Sequence, residues 1–84
     1  MFFIYFAKSK KNNKIYVGQT GRVPEERIKE HNQSGNTWSK NNGPFNLIYY
    51  EEFKCREDAI KREKFYKSGF GKRIKKAIIK ELDG

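Results

Sequence analysis

The chain has one cysteine, Cys55, and one histidine, His31, in 84 residues. A lone cysteine cannot close an internal disulfide, which points to a reducing compartment. Together the two fall short of the roughly four ligands of a structural zinc site. Long apolar runs are also missing. The stretch Phe2–Ala7 is far below the roughly 20 residues that cross a bilayer, and it lacks the basic leader of a signal peptide. Acid is scarce in one region above all. Between Ile60 and Lys80 the only carboxylate is Glu63, among Lys61, Arg62, Lys64, Lys67, Lys72, Arg73, Lys75, Lys76 and Lys80. These absences define the expectation of a soluble, cytoplasmic single domain over residues 1–84.

A chain of this length buries only about 60–65% of its unfolded surface, so the core is thin. Aromatic residues, at 15%, offset part of that, because each buried ring removes a large apolar area from water. The net charge of +9 bears on partners rather than on fold. Its alternatives are a solvated lysine-rich surface or a polyanion-binding one. Nucleic acid fits better than an anionic membrane, since no helix combines a long apolar face with interfacial tryptophan. Lys61, Lys64, Lys67, Lys72 and Arg73 are the candidate phosphate contacts.

Patterning predicts an α/β order. Phe2–Lys8 is apolar on both faces and reads as a central strand. Ile15–Thr20 is a second strand, joined through Asn12-Asn13, residues that tolerate positive φ in a hairpin turn. The even-length connection puts Tyr5, Tyr16 and Gly18 on one face. Phe45–Phe53 is the third strand, entered through Asn41-Asn42-Gly43-Pro44. Pro24 with Glu25 and Glu26 marks a helix running to about Asn32, in which Arg27 and His31 are i,i+4 neighbours. Arg56–Lys67 and Lys72–Leu82 are two further helices, the latter with Ile74, Ala77, Ile78 and Leu82 at core spacing. The expected fold is therefore a three-stranded antiparallel sheet flanked by helices, in the order β-β-α-β-α-α. Trp38, in the poorly patterned stretch 33–44, reads as a surface anchor, with base stacking as its alternative.

Glu63 is the residue that most needs explaining. At ~100° per residue it shares a helix face with Ala59, Ile60 and Tyr66. A carboxylate on an apolar face costs several kcal/mol unless it is paired or holds a cation. Either an arginine at the core's edge neutralises Glu63, or it is a metal ligand in a cleft.

In order and spacing, these segments resemble the GIY-YIG nuclease superfamily, and its small stand-alone members above all. Phe3-Ile4-Tyr5 and Tyr16-Val17-Gly18 stand where that family has its two naming motifs. Arg27 and His31 match its first helix, NLIYYEEF its third strand, and Glu63 in DAIKREKFYKSG its metal-binding glutamate. The match runs from Phe2 to Lys76. Phe3 departs from the glycine of the first motif, Gln19 stands where some repair nucleases have lysine, and the late asparagine of some branches has no counterpart.

The resemblance implies a metal-dependent endonuclease that hydrolyses DNA phosphodiester bonds. In it Glu63 holds one divalent ion, Mg2+ or Mn2+, since one carboxylate plus waters and phosphate oxygens suits such an ion. No second inward-facing acid is visible, which favours one metal over a two-metal clamp. Arg27 would fork onto the non-bridging oxygens, Tyr5 would be the general base, Tyr16 would orient beside it, and His31 would assist. Tyrosine titrates near ~10, so cations must favour the Tyr5 phenolate or water must carry the proton. Read without the family, Tyr5 and Tyr16 are sheet aromatics and Arg27 a surface charge. The alternative function is a nucleic-acid-binding module of the same fold without efficient cleavage, Phe3 being the reason. Either way Tyr5, Tyr16, Arg27 and Glu63 should converge on one concave surface, with DNA as partner, no membrane, and a monomer as the expected state.

Overall fold

A computed structural model describes residues 1–33 and 37–83, with only the backbone described for 37–39. The elements run β1 (Phe2–Ser9), β2 (Ile15–Thr20), α1 (Pro24–Gln33), α2 (Thr37–Asn42), β3 (Phe45–Phe53), α3 (Arg56–Lys67) and α4 (Gly69–Asp83). The strands form one antiparallel sheet in the order β2-β1-β3. This is the mixed α/β architecture that the patterning predicts.

β1 is central because both of its faces are apolar. Ile4 and Phe6 pack with Ala59 and Tyr66 on one side of the sheet, and Tyr5 and Ala7 with Ile28 and Phe45 on the other. Full burial of an Ile or Phe side chain contributes about 1.5–3 kcal/mol, and a small chain concentrates that gain in this doubly covered strand. Helices α3 and α4 therefore lie over the Ile4/Phe6 face, with Ile74, Ile78 and Ile79 against it, while α1 lies over the Tyr5/Ala7 face. Strand β2 keeps a free edge.

The hairpin turn confirms the asparagine reading. Asn13 takes φ 60°, and the Lys14 N–H donates to Asn12 Oδ1 at 2.9 Å. Tyr5 pairs with Gly18 and Ala7 with Tyr16, which sets Tyr5, Tyr16 and Gly18 on one face as the loop length requires.

Two elements differ from the sequence reading. Helix α2, TWSKNN, has no apolar periodicity to announce it. Helix α4 begins at Gly69, not Lys72, because Ser68 caps it: the Gly71 N–H donates to Ser68 Oγ at 3.1 Å, while that hydroxyl donates to the Phe65 carbonyl at 2.6 Å. Gly71 looks like a helix breaker but is a close-approach glycine, since a Cβ there would run into the Phe65 carbonyl. The side chain of Trp38 lies outside the described residues. Among the described residues no helix is long and apolar enough to cross a membrane.

Candidate active site

A cleft of about 400 Å³ passes round the free edge of β2. Its walls come from both sides of the sheet: Tyr5, Tyr16 and His31 from the α1 side, Lys67, Lys72 and Lys75 from α3 and α4. Gly18 makes the cleft possible. The Tyr5 ring lies across it, and a Cβ at residue 18 would collide with the phenol. A residue of the central strand thus reaches the open edge. Tyr16 stands one pair further along, its hydroxyl donating to Asn42 Oδ1 at 3.1 Å and its ring edge-on to Phe45 at 5.4 Å.

The first helix is held at both ends. Pro24 opens it with φ preset. At the other end the Asn32 amide brackets the Phe45 backbone, accepting from its N–H at 2.8 Å and donating to its carbonyl at 3.0 Å. Between these anchors, Glu30 pairs with Arg27 at 3.6 Å and with Arg22. The charge of half-exposed Arg27 also acts on the Tyr5 phenol, lowering its pKa against the effect of burial.

Glu63 approaches from α3, across the sheet from α1. It is half-buried, and the partner shown is Lys67, one turn on, at 3.4 Å. The arginine-paired acid expected on this helix is found elsewhere. Glu51, on β3, accepts from Arg62 Nε at 2.9 Å, from the Tyr49 hydroxyl at 2.6 Å and from the Tyr66 hydroxyl. Glu51 is also the second inward-facing acid that the sequence reading did not see.

Electrostatics tie the set together. Burial pushes the Tyr5 phenol above its ordinary value of 10.0, the Arg27 charge and hydrogen bond pull it down, and the Glu63 charge pushes it up again. The net shift is upward, contrary to the expectation that neighbouring cations favour the phenolate. That Glu63 acts on Tyr5 at all places the two in one electrostatic neighbourhood, although their elements pack on opposite faces. His31 is held below 6.5 by burial and by Arg27, with Glu30 opposing, so its imidazole is neutral near pH 7.

Of the four expected residues, Tyr5 and Tyr16 are walls of the cleft, whereas Arg27 and Glu63 are not among its lining residues and act on Tyr5 through their charges. Lys67 and Lys72 line the cleft; Lys61, Lys64 and Arg73 are exposed and outside its described walls. Lys75 lines it too and was missed. Its signal was positional, since it stands one turn from Lys72 beside Ile74, at the inner border of the apolar stripe. Phe3 is buried edge-on against Tyr50 at 5.8 Å, on the β3 side, and takes no part in the described walls.

A divalent ion fits the donors in a restricted way. Among the described residues no cluster of three or more His, Cys, Asp or Glu side chains is placed to hold a metal. A cage built wholly from protein ligands does not suit this site. A hard ion on one half-buried carboxylate, completed by water and phosphate oxygens, does.

Against known proteins, residues 1–77 match the family model described as the GIY-YIG catalytic domain. The chain is similar to a UPF0213 protein of Clostridium perfringens, 35% identical over 80% of this chain and 71% of that one. It is also similar to UPF0213 proteins of Staphylococcus saprophyticus (32% identical) and Staphylococcus haemolyticus (35% identical), each over 94% of both chains. No solved structure matches significantly.

Proposed function

The chain belongs to the GIY-YIG family and so carries a nuclease-type fold; from that premise we propose that it is a metal-dependent endonuclease acting on DNA. The observation that carries it is the cleft at the edge of β2, where the Tyr5 phenol faces Tyr16, His31, Lys67 and Lys72. Hydrolysis of a phosphodiester needs a proton acceptor for the attacking water and positive charge where the phosphorane gathers negative charge. Tyr5 is the acceptor in this reading. Arg27, whose charge acts on the phenol, turns its donors to the phosphate. Tyr16, fixed by Asn42, holds the other side of the cleft, and neutral His31 accepts a hydrogen bond or proton near it. Glu63 holds one Mg2+ or Mn2+ ion, whose charge would offset the carboxylate's upward push on Tyr5 and favour phenolate. Lys67 and Lys72 bind backbone phosphate, and the more distant Lys61, Lys64 and Arg73 extend the positive surface.

A second reading has one observation behind it. Burial keeps the Tyr5 phenol protonated in the free protein, as a DNA-binding module without cleavage would tolerate. Incubation with branched, nicked and supercoiled DNA, with Mg2+ or with EDTA, separates the two. The endonuclease reading expects metal-dependent cleavage that Tyr5→Phe lowers by about 100-fold or more, the ordinary contribution of a general base. Binding without cleavage under any divalent ion would leave the module.

A further inference from the structure

We propose that Lys75 is a catalytic residue of this site, the proton donor to the leaving sugar oxygen. The inference rests on the endonuclease reading and adds to it the half of the reaction that Tyr5, Tyr16, Arg27, His31 and Glu63 leave without a donor.

Lys75 is a half-buried lysine in the wall of the same cleft as the Tyr5 phenol. It enters from α4, whereas Tyr5 enters from the sheet, so acceptor and donor come from separate elements around one space. The other candidate donors there are engaged or unsuited. Tyr66 gives its hydroxyl proton to Glu51. Tyr16 donates to Asn42 at 3.1 Å. Lys67 pairs with Glu63 at 3.4 Å, and Lys72 is exposed. His31, its pKa lowered, is neutral near pH 7 and has no imidazolium proton to give. An ordinary lysine holds its proton too tightly to be a good acid near neutrality. Lys75 departs from that in the useful direction: burial first, then the charges of Lys72 and Lys76, lower its pKa. Lys72 also lines the cleft that a phosphate would enter.

The step balances. Water forms a bond to phosphorus as the bond from phosphorus to the bridging sugar oxygen breaks. The water gives one proton to the Tyr5 phenolate, and the departing oxygen takes one from the Lys75 ammonium. The products are a phosphate monoester and an alcohol, with Tyr5 left as phenol and Lys75 as amine until exchange with solvent resets both.

The experiment compares wild type, Lys75→Met and Lys75→Arg on DNA with an ordinary linkage and on DNA carrying sulfur at the bridging 3′ or 5′ position. A thiolate leaves without being protonated. Methionine keeps the stem's packing, and arginine keeps the charge but does not release its proton, its pKa lying above about 12. On the ordinary linkage both variants should lose about 100-fold or more, the usual contribution of a general acid. On one of the sulfur-bridged linkages both should cleave within a few-fold of wild type. Equal losses on all linkages, or full activity of Lys75→Arg on the ordinary one, would overturn the proposal, assigning Lys75 to phosphate binding or to structure while the endonuclease reading stands. If wild type cleaves neither kind of DNA, the endonuclease reading itself fails and the proposal with it.

Discussion

Glu51 on β3 and Glu63 on α3 are two carboxylates of similar exposure, 18% and 25%. Their surroundings could hardly differ more. Glu51 is saturated: Arg62 donates from Nε to one oxygen and, at 3.5 Å, from Nη2 to the other, which also accepts from Tyr49 and Tyr66. The Arg62 guanidinium also donates to the Tyr66 hydroxyl at 2.8 Å and covers the rings of Phe65 and Tyr66 at 4.8 and 4.6 Å. Glu63, the residue after Arg62, has among the described residues a long contact, to a lysine that is 59% exposed. One acid has its desolvation offset by fixed protein donors, whereas the other keeps coordination capacity that the proposed metal role would use.

The sharpest way to break that contrast is to remove each charge in turn. Glu63→Gln should lower cleavage by about 100- to 1000-fold, the range for losing one electrostatic group of an active site. Its thermal midpoint should stay close to wild type, since an exposed lysine pair contributes little. Cleavage at the wild-type rate by purified Glu63→Gln would return Glu63 to the surface. Glu51→Ala should show the reverse pattern. It strips three donors of their acceptor and should cost about 2–3 kcal/mol, somewhat below the value for a fully buried pair. Urea unfolding measures it, and cleavage per folded molecule should survive.

A smaller effect tests the geometry between the two regions. Gly18→Ala drives a methyl into the Tyr5 ring and should cost about 1–3 kcal/mol, as overpacking does. Because the ring it displaces is the one on which the Arg27 charge acts, cleavage should fall further than stability. A variant as active and as stable as wild type would mean that Tyr5 moves freely, against its burial.

Much of this was legible in the residues. Pro24-Glu25-Glu26, the asparagine turn and the doubly apolar Phe2–Ala7 gave element types directly, because each acts through local backbone chemistry. The parity of the hairpin loop placed Tyr5, Tyr16 and Gly18 together before any coordinates. What escaped was tertiary. Glu51 passed as an ordinary strand residue, because its partner Arg62 lies on the next element and no local rule pairs them. Gly69 and Gly71 argued against helix, and the close approach to the Phe65 carbonyl explains the second of them. Lys75 was one lysine among many until α4 packed and turned it into the cleft. Local signals wrote the fold; the site's second wall depends on how two helices meet.

The smallest predicted effect, and the one that probes the saturated acid most directly, is on pH. In the folded protein burial alone would raise the Glu51 pKa above its ordinary 4.5, but the hydrogen bonds from Arg62, Tyr49 and Tyr66, with the charge of Arg62, outweigh it and the net shift is downward. A carboxyl with a depressed folded pKa favours the folded state when ionised. Its contribution is complete above the unfolded value and is lost as pH falls through the folded one. Wild type should therefore lose thermal stability as pH falls past the ordinary value of 4.5 and on into the acid range, and Glu51→Gln, with no proton to take up there, should lose less. The gap between the two melting curves should be widest at neutral pH and should close at the acid end. A domain of this size shifts its midpoint by roughly 4–8 °C per kcal/mol, so the closing gap is within reach of thermal melts followed by circular dichroism. Parallel curves across the whole range would mean that Glu51 keeps an ordinary pKa in the folded state, and that its donors do not hold it as their distances imply.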